Sequence, residues 1–173
     1  MTHTSVLLTS EQIQERIRSL AAEIERGYPE GEEIHLVAVL KGGFMFMADL
    51  VRAMGPHVTM DFMAVSSYGK GTRSSGQVRV LKDLDSSLEG RNIIIVEDIV
   101  DTGLTLSYLQ EILRARAPKS VRTACLLSKP SRRKVDVQVD YIGFTIEDKF
   151  VVGYGLDFAE KYRNLPYIAV LEQ

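Results

Sequence analysis

Short apolar segments alternate along this chain with segments of helical periodicity, and this alternation constrains the fold more than any other feature. Three apolar segments, IHLVAVL (34–40), NIIIVED (92–98) and VRTACLL (121–127), are mostly hydrophobic without a strict alternation. Such segments are typical of parallel strands that are covered on both faces. Helical patterns of about a dozen residues follow the first two of them. The sequence therefore predicts an α/β fold with an open, mainly parallel twisted sheet flanked by helices.

The remaining elements follow from the same patterns. A helix is predicted over 10–26, because Thr9 and Gln12 have capping-box spacing and apolar residues recur at steps of three and four. Further patterns predict helices at 44–54 and about 102–115, strands at 58–65, 77–83, 141–146 and 167–172, and a loop at 66–76. The chain has no internal repeat and no low-complexity linker, so we expect a single domain over 1–173.

The charge balance restricts the partners of the molecule. The formal net charge is -2, so the chain has no broad attraction for nucleic acid or an anionic membrane. Any anionic ligand must be bound by local groups. The first residues lack a basic region followed by a long apolar segment, and no segment reaches the length of a membrane span. With a single cysteine, Cys125, in the apolar run TACLL, we expect a cytoplasmic protein with a buried, inert thiol.

The segment DIVDTGLTLS joins the central predicted strand to a helix. Gly103 permits a positive φ, and Thr102 and Thr105 bring hydroxyl groups to a helix N-terminus with free amides. Such an end favours an anion, and a phosphate monoester fits well. The alternative is that Asp101 or Thr102 merely caps the helix.

Two further acids, Glu97 and Asp98, end the same strand. Adjacent carboxylates at a strand end are costly unless cations or hydroxyl groups compensate them. A sugar diol and a hydrated Mg²⁺ are the natural candidates. The chain has neither a Walker A motif nor a G-x-G-x-x-G motif after a strand. A phosphoacceptor receiver domain, which also carries acids at strand ends, remains an alternative.

The segment IIIVEDIVDTGLTL resembles the phosphoribosyl-pyrophosphate loop of the type I phosphoribosyltransferases. Further segments resemble the 6-oxopurine (hypoxanthine-guanine) branch of that family: AVLKGGFMFMADL, SSYG, LLSKPSRR and IEDKFVVGYGLDFAEKYRNLPYI. The resemblance covers most of the chain. It implies the type I phosphoribosyltransferase fold, with a core over about 33–145 and a small hood from about 1–12 and 146–173.

The resemblance also implies roles for the residues that match the family's motifs. Glu97 and Asp98 correspond to the acids that contact the ribose hydroxyls, and Asp101 to the proposed general base near the purine N7. The expected phosphoribosyl and phosphate site comprises Glu97, Asp98, Asp101, Thr102, Gly103, Leu104 and Thr105. The expected pyrophosphate site comprises Lys41, Gly42 and Arg163. The expected Mg²⁺ ligands are Glu97, Asp98 and Asp157.

Other matches concern the purine. Lys129 corresponds to the lysine that donates to O6, Phe150 to the aromatic residue that stacks on the ring, and Val151 to the residue whose backbone reads its far edge. Asp157 lies in the same purine site. Ser67 and Tyr68 correspond to the start of a mobile lid. For Arg132 and Arg133, an anion-binding patch and a solvated loop are both open.

The implied activity is purine salvage. A Mg²⁺-dependent enzyme of this class transfers the phosphoribosyl group of phosphoribosyl pyrophosphate to hypoxanthine or guanine, and family members are commonly dimers or tetramers. A regulator that keeps the fold but binds RNA is the second hypothesis. It requires a basic face, which the net charge does not support. We therefore expect binding of phosphoribosyl pyrophosphate and 6-oxopurines, and of neither nucleic acid nor membranes.

Overall fold

In the computed structural model, which describes residues 3–67 and 78–172, the described chain forms nine strands and three helices. The helices are α1 (Ser10–Arg26), α2 (Phe44–Arg52) and α3 (Leu104–Arg114). The strands are β1 (His3–Leu8), β2 (Ile34–Leu40), β3 (Val58–Ser67), β4 (Val78–Lys82), β5 (Asn92–Val100), β6 (Ser120–Ser128), β7 (Tyr141–Thr145), β8 (Val151–Val152) and β9 (Ile168–Glu172).

The larger sheet contains six strands in the order β4-β3-β2-β5-β6-β7. Every neighbouring pair is parallel except β3 and β4, which are antiparallel. Strands β1, β9 and β8 form a separate antiparallel sheet from the two ends of the chain. The predicted α/β fold with a mainly parallel sheet is confirmed.

The apolar strands are buried on both faces because helices pack on each side of the larger sheet. In β2, Leu36 and Ala38 belong to a cluster with residues of α1 and α2, whereas Val37 packs in a second cluster with residues of α3. Successive side chains of a strand point to opposite faces, so both faces of β2 require apolar residues. This arrangement explains why the central strands lack a polar alternation.

The predicted ends of the elements are mostly correct. Helix α1 covers the predicted range, and its capping box is formed: Gln12 N donates to Thr9 Oγ1 at 3.1 Å, and Thr9 N donates to Gln12 Oε1 at 2.8 Å. Cys125 is buried, as expected. In the described residues, none of the helices is both long and apolar enough to cross a membrane.

Several boundaries differ from the prediction. Strand β5 continues to Val100 because it pairs with β6 over two more residues than its apolar run suggests. Helix α3 begins at Leu104 rather than near Thr102, because Gly103 has a left-handed conformation with φ 81. Helix α2 ends at Arg52. The predicted loop at 66–76 begins with two residues that still belong to β3, and Tyr68 and the rest of it lie outside the described residues.

Candidate active site

The carboxyl ends of β2, β5 and β6 lie side by side, since these three strands are parallel neighbours. Ligands of open α/β sheets bind at this edge. The backbone N–H of Lys129, just after β6, donates to the Val100 carbonyl oxygen at the end of β5 at 2.9 Å. The loops that the sequence identified after β2, β5 and β6 therefore lie at one edge of the sheet.

Two glycines allow the loops of the site to approach one another. A Cβ atom at Gly42 would overlap Oδ2 of Asp98, and a Cβ atom at Gly155 would overlap the carbonyl oxygen of Gly42. Gly155 also has φ +98, a conformation that favours glycine. The peptide between Leu40 and Lys41 is cis. The predicted pyrophosphate segment is thus packed between the acids of β5 and the segment near the C-terminus.

The two acids at the end of β5 are largely removed from water. Glu97 is 7% exposed, and burial raises the pKa of its carboxyl group well above the usual range, with further increases from Asp98 and Asp101. Burial also raises the pKa of Asp98 to about 6, although the N–H of Ile99, 2.8 Å from Oδ1, and the charge of Arg163 lower it. Both carboxylates would gain from a cation or from hydroxyl donors.

The loop after β5 leads into the N-terminus of α3, a position that favours an anion. The backbone N–H of Thr102 donates to Oδ1 of Asp101 at 2.7 Å, and the N–H of Leu104 donates to Oγ1 of Thr102 at 3.3 Å. A Cβ atom at Gly103 would lie 2.8 Å from Cγ1 of Val137. A cavity of about 150 Å³ opens here, lined by Glu97, Ile99, Val100, Asp101, Gly103, Thr105 and Leu106. Residues predicted to bind the ribose and residues predicted to bind the phosphate therefore line one recess.

A larger cavity of about 470 Å³ lies elsewhere, at the amino ends of β2 and β3. Its lining includes Tyr28, His57 and Met54, and it contains none of the residues that the sequence analysis selected. Volume alone would favour this cavity. The chemistry of the acids and of Lys129 favours the recess at the carboxyl ends.

Lys129 is 8% exposed and is surrounded by charged groups. Its Nζ lies 3.8 Å from Oδ1 of Asp148, whose other oxygen is 3.5 Å from Nη1 of Arg132. Burial lowers the pKa of Lys129, whereas Asp148 and Asp101 raise it. The charge of the lysine thus interacts with the carboxylate of Asp101 as well as with that of Asp148. Arg132 belongs to this ion-pair group.

An exposed aromatic pair lies next to β8. The ring of Phe150 is 44% exposed and meets the ring of Phe158 edge to face, with centroids 5.8 Å apart and planes at 86°. Val151 is buried in β8 and pairs with Val170. Sequence reasoning selected Phe150 and Val151 but missed Phe158, because "LDFAEK" contains no pattern that marks its phenylalanine as a partner of Phe150.

The segment around Arg163 carries the other predicted pyrophosphate contact. Nη1 of Arg163 donates to the carbonyl oxygen of Gly155 at 2.7 Å, and Nη2 lies 3.5 Å from Oδ1 of Asp157. Nζ of Lys41 lies 3.0 Å from Oε2 of Glu160. Four non-glycine residues of this segment have positive φ: Tyr154, Ala159, Glu160 and Tyr162. Such conformations are sparsely populated and concentrate at ligand sites.

Arg133 contacts the main chain at the end of β5. Its guanidinium turns back to the main chain and donates to the carbonyl oxygens of Val100 and Asp101 at 2.9 and 2.8 Å. The next residue, Lys134, donates its N–H to the carbonyl oxygen of Thr102 at 2.9 Å. A sequence motif does not reveal a side chain that binds backbone, so this contact required the structure.

The carboxylates of Glu97 and Asp98 are oxygen ligands of the type that Mg²⁺ binds. In the part of the chain that the structure describes, no group of three or more acidic, histidine or cysteine side chains is placed to hold a metal ion. Two adjacent carboxylates fit Mg²⁺, because this ion is commonly bound by one or two carboxylates together with substrate phosphates. The residues therefore fit an ion that arrives with a phosphorylated substrate. The third expected ligand, Asp157, lies 3.5 Å from Nη2 of Arg163.

Comparison with known proteins agrees with this fold. The family model described as "Phosphoribosyl transferase domain" matches residues 3–159. The chain belongs to the phosphoribosyltransferase family.

Its relatives place it more narrowly, in the hypoxanthine-guanine branch. It is 53% identical over 167 residues to hypoxanthine-guanine phosphoribosyltransferase of Bacillus subtilis, covering 96% of this chain and 92% of the relative. It is 51% identical over 173 residues to that of Mycobacterium tuberculosis, covering 97% and 86%.

Solved structures agree. A hypoxanthine-guanine phosphoribosyltransferase from Bacillus anthracis matches with TM-score 0.93 and 51% identity, over 97% of this chain and 98% of that one. A hypoxanthine phosphoribosyltransferase from Staphylococcus aureus matches with TM-score 0.93 and 48% identity, over 97% and 91%. The branch inferred from the sequence motifs is confirmed.

Proposed function

We propose that this enzyme transfers the 5-phosphoribosyl group of phosphoribosyl pyrophosphate to hypoxanthine or guanine, giving IMP or GMP and pyrophosphate in purine salvage. The observation that carries the proposal is the convergence of three acids and a buried lysine, Glu97, Asp98, Asp101 and Lys129, at the carboxyl edge of the sheet. The names of the similar enzymes support the same reaction.

The bond changes need one base and no covalent intermediate. Nitrogen N9 of the purine forms a bond to the anomeric carbon while the bond from that carbon to the pyrophosphate oxygen breaks. The ring proton at N7 passes to the carboxylate of Asp101. The transition state carries positive charge on the sugar, so the nearby carboxylates of Glu97 and Asp98 stabilise it when ionised, besides binding the ribose hydroxyls.

Lys129 gives the proposed preference for 6-oxopurines. Its ammonium group can donate to the exocyclic O6 of hypoxanthine or guanine, whereas adenine carries an amino group at this position, which is itself a donor. Phe150 is exposed and free to cover the purine face, and the backbone of Val151 is assigned to the far edge of the base. Asp157 completes the purine site in this proposal.

The phosphates are assigned to two places. The 5′-phosphate is assigned to the start of α3, where the backbone N–H groups of Gly103, Leu104 and Thr105 and the hydroxyl groups of Thr102 and Thr105 would bind it. The pyrophosphate is bound by Lys41, Gly42 and Arg163. Lys41 and Arg163 both contact the acids of 157–160, so the two cations lie near one another before substrate binds.

Mg²⁺ is part of the proposal. Glu97, Asp98 and Asp157 are the assigned ligands, and the ion supplies neutralisation of the charge on the departing pyrophosphate. The lid is assigned to the segment that begins at Ser67 and Tyr68.

We also propose a cytoplasmic homodimer or homotetramer. Exposed large hydrophobic side chains on the described surface, including Phe44, Met60 and Leu81, support self-association. The hood over 1–12 and 146–173 is assigned to the small sheet of β1, β9 and β8, and the core is assigned to 33–145. Val151 lies in β8, an edge strand of this small sheet.

Product analysis tests the reaction. The purified chain is incubated with phosphoribosyl pyrophosphate, Mg²⁺ and hypoxanthine, and IMP and pyrophosphate are measured together. We expect equal amounts of both products, loss of activity with excess chelator, and recovery with Mg²⁺. Binding of phosphoribosyl pyrophosphate without nucleotide formation would contradict the proposal.

A further inference from the structure

Arg133 connects the ends of two strands with the loop of the candidate site. Its Nη1 donates to the carbonyl oxygens of Val100, the last residue of β5, and of Asp101, the first residue of the loop, at 2.9 and 2.8 Å. Its Nη2 donates to Oγ of Ser128, the last residue of β6, at 2.9 Å. One side chain thus bridges β5, β6 and the loop.

These contacts restrain the two peptide groups that flank Asp101. The carbonyl oxygen of Val100 belongs to the peptide before Asp101, and the carbonyl oxygen of Asp101 belongs to the peptide after it. The orientations of these two planar groups determine φ and ψ of Asp101. They therefore determine the direction of its Cα–Cβ bond, and the N–H of Thr102, 2.7 Å from Oδ1, restrains the carboxylate at the end of that bond.

The guanidinium makes these contacts with neutral groups. Its recorded partners within the described chain are backbone carbonyls and a serine hydroxyl. Arg132, by contrast, pairs with the carboxylate of Asp148. Arg133 is partly buried, and the planar fork of arginine presents several N–H groups in fixed directions, which lysine does not reproduce. A surface charge alone does not require this arrangement.

We propose that Arg133 is a positioning residue for phosphoribosyl transfer. By holding the peptides on both sides of Asp101, it directs the carboxylate towards the purine proton and keeps the amides at the start of α3 aligned with the 5′-phosphate. Arg133 touches no reacting atom and acts only through this loop. The inference rests on the proposed function, which supplies the role of Asp101.

Three variants separate position, charge and folding. Arg133→Gln removes the fork and the charge, and Arg133→Lys keeps the charge with fewer directed donors. Lys134→Gln removes a charge from an exposed neighbour whose loop contact is made by its backbone. For each, kcat and the KM values for phosphoribosyl pyrophosphate and hypoxanthine are measured, and melting curves give the folded fraction.

We expect R133Q to lower kcat by about 10- to 100-fold, the effect of a small misplacement of a catalytic group. Its KM for phosphoribosyl pyrophosphate should rise several-fold while the KM for hypoxanthine changes little. R133K should recover part of kcat, because an ammonium group can donate to both carbonyls. K134Q should match the wild-type chain.

Two results would overturn the inference. One is wild-type kcat and KM in R133Q. The other is a loss that follows the folded fraction alone, with unchanged KM values and no recovery in R133K. If the wild-type chain forms no nucleotide, the proposed function fails instead. Calorimetric binding of phosphoribosyl pyrophosphate to R133Q and wild type then tests the alignment of the loop separately, and equal affinities would count against it.

Discussion

The carboxylate of Asp98 lies directly against the α-carbon of Gly42, so that any side chain at position 42 would overlap Oδ2 of Asp98. This contact joins the predicted pyrophosphate segment after β2 to the predicted ribose site at the end of β5. The carbonyl oxygen of Gly42 is in turn covered by Gly155. The three segments can meet because two of them lack side chains at the points of contact.

Gly42→Ala tests this contact. The added methyl group must displace Asp98, and we expect the KM for phosphoribosyl pyrophosphate to rise by at least about 10-fold, with a loss of stability of about 1–3 kcal/mol. Steady-state kinetics and thermal melting measure the two effects. Gly55→Ala is the matched control, since the nearest atom to its new Cβ is Oε2 of Glu25 at 3.3 Å, the end of a flexible side chain. Wild-type kinetics in G42A would show that Asp98 is not needed where it lies.

Asp101→Asn tests the base. The amide oxygen of asparagine can still accept the N–H of Thr102, so the loop should keep its shape. We expect kcat to fall by about 10²- to 10⁴-fold, the usual contribution of general acid–base catalysis, whereas the Kd for phosphoribosyl pyrophosphate should stay within a few-fold. Asp136→Asn, an exposed acid, serves as control. A kcat near the wild-type value would remove Asp101 from this role.

Lys129→Ala tests recognition of the base. Loss of a charged donor to O6 should raise the KM for hypoxanthine and guanine by about 10- to 100-fold, since such a hydrogen bond contributes roughly 1.5–3 kcal/mol. The preference for these bases over adenine should shrink by a similar factor. Lys119→Ala, whose lysine pairs with Glu32 away from the site, should leave both values unchanged. Unaltered base kinetics in K129A would show that another group binds O6.

Asp98→Asn tests whether the buried charge of Asp98 lowers the free energy of unfolding. The folded pKa of Asp98 is about 6, above its unfolded value, so the folded state holds its proton more tightly. The stability linked to this proton is complete below about pH 4 and is lost as pH rises through 6. At pH 8, D98N, which stays neutral, should therefore have a free energy of unfolding about 1–3 kcal/mol larger than wild type and a higher melting temperature. Near pH 4 the difference should vanish. Equal melting temperatures of D98N and wild type at both pH values would contradict the raised pKa. In a separate binding measurement, D98N should bind phosphoribosyl pyrophosphate more weakly than wild type.

Much of the fold could be predicted from local patterns. The uninterrupted apolar segments reflect burial on two faces, the capping box of Thr9 and Gln12 marks the start of α1, and Gly103 has the positive φ that its place in the loop suggested. Strand β1 was missed because its residues are mostly exposed and show no strand pattern. The two extra residues of β5 depend on pairing with β6, which no local pattern contains.

The candidate site was predicted from motifs rather than from spacing alone. Lys129 lies near Asp101 because β5 and β6 are parallel neighbours, and only the assembled sheet determines that proximity. Phe158 and the backbone contacts of Arg133 were missed for the same reason. Their roles consist of contacts with a distant loop and with another ring, and sequence neighbours do not record such contacts.

The proposed transfer to 6-oxopurines is tested most directly by nucleotide formation from hypoxanthine, guanine, xanthine and adenine, each offered separately with phosphoribosyl pyrophosphate and Mg²⁺. We expect nucleotide from hypoxanthine or guanine, or both, and none from adenine. Lys129 can donate to an oxygen at position 6 of the base but meets another donor in adenine. The response to xanthine ranks the bases further. Product from adenine at a comparable rate, or no product from any base, would contradict the central claim.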